Sequence, residues 1–431
     1  MYYFTVYFYF LYFVSHAIIT TQDQEEGSIT SYDGSQVWRT AFHGEQDIVI
    51  IKKLVEDQDI SIWNVDYNGV DFLVHSDNKI KVNRALNSRK LNHSVLVLDV
   101  QRRINSLKLA PTKWNADTLR IGHRLNWKEY PTLKIIDEYF SYLSENFPSI
   151  CNVSVIGYTA ENRTIKMLRI SNHNPENKVF MVISGMHARE WIAITSALYI
   201  LDKIVTKFDQ LPQFMRDIEW LIIPVMNPDG YEYSHTHDRL WRKNRRKTVF
   251  CKGVDINRNF GTDWDVTGIA NKKECHESYS GPHPFSEAET KALRDVMMTL
   301  KKKPNTLVDL HSYGQLILYP WGAKDVPTAD NDLLWKTAKG MAEAIFNTSG
   351  NTYKFGTTYR MIYPATGSGI DWFYSSGVVL PLAIELGDKG YHGFLLPPKS
   401  IESIGKELYA AITATVKKFQ PTMNLDPKSW F

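Results

Sequence analysis

The chain is poor in cysteine, with only Cys151, Cys251 and Cys275 among 431 residues. In an oxidising compartment two of them can pair and one is left over. It also lacks any strong charge imbalance: 50 basic and 47 acidic residues leave a net charge of +3. That removes a general reason to expect nucleic acid or an anionic membrane as a partner. Beyond the N-terminus no apolar run is long enough to span a bilayer, and there is no internal repeat or low-complexity tract. The first twenty residues contain no Lys, Arg, Asp or Glu, and TQDQEEGS follows at once. A short apolar start broken early by polar sequence reads as a secretory signal over residues 1–17, with SHA (Ser15 to Ala17) as its cleavage site. The usual positive n-region is missing, and the alternative is a retained anchor.

What is present is an ordinary globular balance, 43% hydrophobic and 23% charged, in a length that suits two or three units. Four sequons, at Asn92, Asn152, Asn162 and Asn347, are compatible with secretion. From Tyr32 to about Val100 the pattern suits a small α/β unit. VWRTAF reads as a strand, EQDIVIIKKLVED as an amphipathic helix, and DISIWNV, VDFLVH and HSVLVLDV as further strands. A basic stretch follows, carrying Arg102, Arg103, Lys108, Lys113, Arg120 and Arg124 around Pro111. It reads as a solvated linker and as a segment open to a trypsin-like protease, since nicking concentrates in connecting segments. From about Trp127 onward helical stretches such as TLKIIDEYFSYLSENFP, TSALYILDKIVTKF and SEAETKALRDVMMTLKKK alternate with short apolar runs. KVFMVISGMH, IEWLIIPVMN, NTLVDLHS and VVLPLAIELGD read as strands buried on both faces of a parallel or mixed sheet covered by helices.

Three of those runs finish on reactive side chains. VFMVISGMH ends in His187, with Glu190 three residues on in GMHARE. His311 lies near the end of NTLVDLHS, and Glu385 near the end of LPLAIELGD. Sites in open α/β sheets gather at the carboxyl ends of strands. A short His–Glu spacer with one distant residue suits a catalytic zinc site; the alternative is unrelated polar residues at strand ends. GVDINRNF sets Asp255 two residues before the Asn257–Arg258 pair. A guanidinium fork matches a carboxylate bidentately, so Arg258 is a candidate grip for a free carboxylate, or else a structural ion pair. RLWRKNRRK offers Arg239, Arg242, Arg245 and Arg246. Most of such a run is expected to be solvated, with one member free to point inward at a developing oxyanion.

These motifs, in this order, resemble the zinc metallocarboxypeptidases of the pancreatic carboxypeptidase A and B type: GMHAREW, MNPDGYEYS, RLWRKNR, GVDINRNF, LHSYGQLILYPWG, IYPATGSGIDW and IELGD. The resemblance covers nearly the whole chain after the signal. It implies an activation domain over residues 18–101, a cleavable connecting segment over 102–124 and a catalytic domain over 125–431. The implied fold is an α/β mixed eight-stranded sheet flanked by helices, preceded by a small α+β activation domain that shields the cleft.

The resemblance also implies roles. His187, Glu190 and His311 match the ligands of one zinc ion per chain. Asp255 matches the carboxylate that orients the first histidine. Glu385 matches the general base, and Arg242 the residue that polarises the scissile carbonyl. Asn257 and Arg258 match the clamp on the substrate's terminal carboxylate, and Tyr363 the tyrosine that closes over it. Arg189, Arg239 and Tyr313 match residues of the adjoining subsites. Cys251 and Cys275 match a disulfide, which leaves Cys151 as an expected free thiol. The residue before the DW pair governs side-chain preference in this family; here it is Ile370. The other pocket positions, Gly322, Thr358, Ile362, Ala365 and Ala383, are uncharged, so the resemblance implies an A-type preference for apolar C-terminal residues.

The expectation is thus a secreted, monomeric zymogen that takes peptide or protein C-termini as substrate and is activated by a trypsin-like protease, with no nucleic-acid partner and no membrane after signal removal. One rival is a catalytically dead homologue, but such proteins usually lose a ligand or the base, and all are present here. A small-molecule deacylase would not need both the carboxylate clamp and an activation domain. A B-type enzyme for basic residues would require an acid, such as Asp371, to turn into the pocket.

Overall fold

The computed structural model describes residues 28–66, 69–107, 113–266, 268 and 270–419. The expected signal, residues 1–17, and the tail beyond residue 419 lie outside them, as does part of the connecting segment. Two sheets organise the chain. The first is four-stranded and antiparallel, in the order β2-β3-β1-β4, built from β1 (Gln36–Thr40), β2 (Ile60–Asp66), β3 (Gly69–Val74) and β4 (His93–Val97). Helices α1 (Glu45–Glu56) and α2 (Lys79–Asn87) pack on one of its faces. Trp38, Ile51, Leu54, Phe72, Val74, Val82 and Leu86 make that core. Alternation along β1 sends the side chains of Val37 and Trp38 to opposite sides of the sheet. Trp38 joins this core, whereas Val37 joins the core of the larger domain.

Helix α3 (Val100–Leu107) leads out of the small domain. It buries Val100, Ile104 and Leu107, an i, i+4, i+7 stripe. The expected connecting segment, 102–124, therefore opens inside a helix. It continues to the short α4 (Ala116–Ile121), which precedes α5 (Leu133–Asn146).

The second sheet has eight strands in the order β11-β10-β12-β9-β7-β8-β6-β5. They are β5 (Cys151–Tyr158), β6 (Thr164–Ile170), β7 (Lys178–Ser184), β8 (Ile218–Ile223), β9 (Thr306–Ser312), β10 (Leu316–Tyr319), β11 (Lys354–Thr357) and β12 (Leu380–Leu386). The central pairs β12–β9, β9–β7 and β7–β8 are parallel, while β5–β6, β6–β8 and β10–β12 are antiparallel. The sheet is mixed, as expected. Its central strands are mainly apolar because helices cover both faces. On one side lie α5, α6 (Trp191–Thr206), α9 (Asn331–Ser349) and α11 (Ile401–Phe419). On the other lies α8 (Ala288–Thr299), with α7 (Pro228–Thr236) and α10 (Gly369–Ser375) at the end of the sheet that carries the site. Among the described residues no helix is long and apolar enough to cross a membrane.

Candidate metal centre and substrate cleft

The parallel register sets the site. Glu385 of β12 pairs with His311 of β9, and β7 runs parallel to β9 on its other side. The loop after β7 brings in His187, and Glu190 stands at the start of α6. One ligand atom from each of His187, Glu190 and His311 lies within 4.8 Å of the others, and all three residues are buried. The two imidazole Nδ1 atoms face each other at 3.2 Å. Glu190 reaches both, Oε1 at 2.8 Å from His187 Nδ1 and Oε2 at 3.1 Å from His311 Nδ1.

The outer nitrogen of each imidazole faces an acid. His187 Nε2 lies 3.2 Å from Asp255 Oδ1, and His311 Nε2 lies 3.0 Å from Asp309 Oδ2. A carboxylate on the far nitrogen fixes the proton there and leaves the inner lone pair free. Two inward lone pairs and a carboxylate form a donor set that fits a divalent zinc-type ion with an open position. Asp309 escaped the sequence reading, though its place two residues before His311 on one strand puts both on one face.

The charges around the cluster are strongly coupled. Burial alone would raise the Glu190 carboxyl, but His187 and His311 outweigh it and hold it well below the usual range. Asp255 is likewise held far down against the effect of burial, chiefly by Arg242 and His187. Arg242 donates from Nε and Nη2 to Asp255 Oδ2 at 3.0 and 2.8 Å, which turns Nη1 toward the cluster, 3.9 Å from Glu190 Oε1. The Glu385 carboxyl is pushed up to about 8, by desolvation first and by Glu190 in addition, with His311 pulling the other way. A cation among the ligands would draw it down again.

Beside the cluster, Arg258 donates from Nη2 to the Tyr363 hydroxyl at 2.8 Å and from Nη1 to the Asn257 carbonyl at 2.7 Å. Asn257 is itself fixed, its Oδ1 accepting from Gly369 N at 2.8 Å. A cavity of about 260 Å³ joins Arg258, Asn257, Tyr363, Arg242 and Glu385 to the apolar Leu316, Ile362 and Ala365. Ile370 is buried against Leu316, Leu318 and Ala383. Asp371 is held beside Gly322: its carboxylate accepts from Gly322 N and Ala323 N at 2.8–3.0 Å, and burial pushes it up to about 6. Gly322 lies tightly between Thr358 and the Ala365 carbonyl, where an added Cβ would have neighbours at 3.3–3.4 Å.

The remaining candidates fall at the rim. Arg189 lines the cavity, bridges to Glu277 at 3.0 Å and lies over the Phe394 ring. Tyr313 donates to Asp71 of the small domain at 3.0 Å. Arg239 does not line the cavity; its guanidinium is buried, donating to the Arg189 and Phe394 carbonyls at 2.8 and 2.6 Å over the Trp191 ring. The expectation that most of the basic run would be solvated is overturned. Arg239, Lys243 and Arg245 are all buried, and Arg246 binds Glu287. Arg245 is sandwiched on Tyr233 and Trp241, and Lys243 donates to the Glu274 carbonyl. Apart from Trp241, which belongs to the run itself, the partners come from other segments. Cys251 and Cys275 form the disulfide, and Cys151 is free and buried.

Known proteins fall on this geometry. Residues 136–411 match the zinc carboxypeptidase family, and residues 38–106 match the carboxypeptidase activation peptide. Carboxypeptidase B of Rattus norvegicus is 31% identical over 393 residues, spanning 88% of this chain and 92% of that protein. An inactive metallocarboxypeptidase of Saccharomyces cerevisiae is 32% identical over 384 residues, spanning 84% of this chain and 86% of that one. The crystal structure of carboxypeptidase A from Helicoverpa armigera superposes with a TM-score of 0.80 at 27% identity, covering 90% of this chain and 97% of that one.

Proposed function

Since this chain belongs to the zinc carboxypeptidase family and carries its activation peptide, we propose that it is a secreted, monomeric A-type enzyme that cuts single apolar residues from peptide C-termini. The observation that carries the preference is the uncharged cluster of Leu316, Leu318, Ile370 and Ala383, with Asp371 spent on two backbone amides beside it. A basic side chain entering there would find the nearest acid, Asp371, already engaged by backbone amides, and an unpaired buried charge is costly.

In this reading His187, Glu190 and His311 would hold one zinc ion, which would supply Lewis acidity toward a water molecule and the scissile carbonyl. Glu385 takes the proton from the attacking water and passes it to the leaving amine nitrogen. Arg242 Nη1 meets the negative charge that develops on the carbonyl oxygen. Arg258 grips the terminal carboxylate in place of the Tyr363 hydroxyl, helped by Asn257. An internal peptide bond would leave that arginine without its anion, so cleavage is confined to the chain end. Arg189 and Tyr313 line the subsites upstream, and Asp255 steadies both His187 and Arg242. The presence of all three ligands, the base and Arg242 supports an active enzyme rather than an inactive relative.

The test is hydrolysis of peptides differing only in their last residue, after limited trypsin treatment, with and without a zinc chelator. Release of Phe or Leu that needs trypsin and vanishes with chelator is the expected result. Preferential release of Lys or Arg would overturn the A-type assignment. No release from any peptide would overturn the enzyme.

A further inference from the structure

Six basic side chains compete in the segment between the domains, and their surroundings separate them. Arg102 and Arg103 lie in α3, whose Val100, Ile104 and Leu107 are buried, and Arg103 Nη1 sits 2.9 Å from His392 Nδ1 of the catalytic domain. A protease that binds its substrate extended must first unfold the stretch it cuts, and here that means stripping a packed helix from the core. Arg124 is half-buried, forked onto the Glu138 carboxylate through Nε and Nη2, with Trp114 against its face. Lys108 lies outside the described residues.

Arg120 is different. It is exposed on α4, a helix of six residues in which only Thr118 is buried, while Leu119 and Ile121 are 70% and 52% exposed. What holds α4 is local: the Asn115 cap accepts from Thr118 N at 2.9 Å, and Gly122, at φ 87°, ends the helix by donating to the Thr118 carbonyl. So short a helix with a single buried side chain opens readily. Lys113 is also exposed, but it precedes the Trp114 that rests on Arg124, and its ammonium fits a carboxylate-floored pocket less well than a guanidinium fork.

We infer that the activating cut falls between Arg120 and Ile121, made by a protease of trypsin-like specificity. The inference rests on the zymogen reading above. Water adds across the peptide bond, leaving a carboxylate on Arg120 and a free amine on Ile121. The new terminus stays docked, because His123 lies against the Tyr139 and Tyr142 rings and Arg124 remains clamped on Glu138. Arg124 is then the pin of the mature chain rather than its cut site.

The experiment is a trypsin time course on the intact precursor, followed by N-terminal sequencing, mass spectrometry and peptidase assay, for wild type, Arg120→Gln and Arg124→Gln. Ile121 is expected as the first new terminus. Arg120→Gln should lose that cut and delay the appearance of activity, and Arg124→Gln should keep it. A first terminus at Trp114 or Leu125, or inside α3, overturns the assignment, as does unslowed activation of Arg120→Gln. A clean Ile121 terminus with no activity supports the bond and sinks the peptidase reading instead.

Discussion

At the scale of single residues, the two acids behind the imidazoles have separable duties. Asp255 holds His187 and also fixes Arg242 through two hydrogen bonds, whereas Asp309 faces only His311 and the Oδ1 side of its carboxylate has no partner. Loss of an acid behind a metal-binding imidazole typically costs about 10–100-fold in metal affinity. Asp309→Asn is therefore expected to weaken zinc binding by about that factor in a chelator competition, while kcat at saturating zinc stays near wild type. Asp255→Asn should lower both zinc affinity and kcat, because Arg242 loses its anchor. Equal kcat losses in the two variants would refute the division. Glu385→Gln separates chemistry from metal holding in the opposite sense. It should lower kcat by about 10²–10⁴-fold and leave zinc content unchanged by metal analysis. A rate close to wild type would remove Glu385 from the proton transfer.

At the scale of elements, α8 begins on an unusual acid. Glu289 is fully buried in its first turn, accepts from Asn244 Nδ2 at 3.0 Å, and is pushed up to about 7 from 4.5 by burial, with Glu287 and Asp229 adding to it. The folded protein thus keeps a proton that the unfolded chain releases between those values. The Glu289 contribution to stability therefore falls as pH rises through roughly 4.5 to 7, then levels off. At about 1.4 kcal/mol per pH unit, the loss comes to about 3 kcal/mol. Glu289→Gln should be more stable than wild type at pH 8 by up to that amount, and the gap should close toward pH 4.5. Parallel urea-stability curves for the two proteins across this range would exclude the account.

The elements also show what could be read from the chain. GMHARE, the GVDINRNF loop and the apolar runs of β7, β8, β9 and β12 declare themselves because buried strands and their reactive ends are continuous in sequence. Strands β5, β6, β10 and β11 did not. The first two sit at a sheet edge where polar and apolar residues mix, and LILY and KFGT are only four residues long. Asp309 hid inside an apolar run. The inward turn of Lys243 and Arg245 depends on Glu274 and Tyr233, partners outside the run that no local pattern assigns to them.

At the scale of the whole molecule, the small domain is bonded across the cleft. Trp63 packs its ring on Tyr313 and Phe394, and Tyr363 packs against the small domain's core. Arg39 and Asp71 form the polar hinge of the contact. Asp71, almost fully buried, takes Arg39 Nη2 at 2.7 Å and the Tyr313 hydroxyl at 3.0 Å, while Arg39 also donates to the Lys389 carbonyl. Such a contact closes the cleft only to the extent that its free energy favours the closed form, so weakening it must raise the open population. Removing one buried partner leaves the other unsatisfied at about 1–3 kcal/mol, a factor of roughly 5–150 in an equilibrium. Asp71→Ala precursor, uncut, is therefore expected to hydrolyse a short peptide at about 5–150 times the wild-type precursor's rate. On the proposed activation the domain leaves, so trypsin-treated Asp71→Ala must match trypsin-treated wild type. If the uncut variant stays as silent as the wild-type precursor while both activate equally, the apolar packing of Trp63 alone closes the cleft.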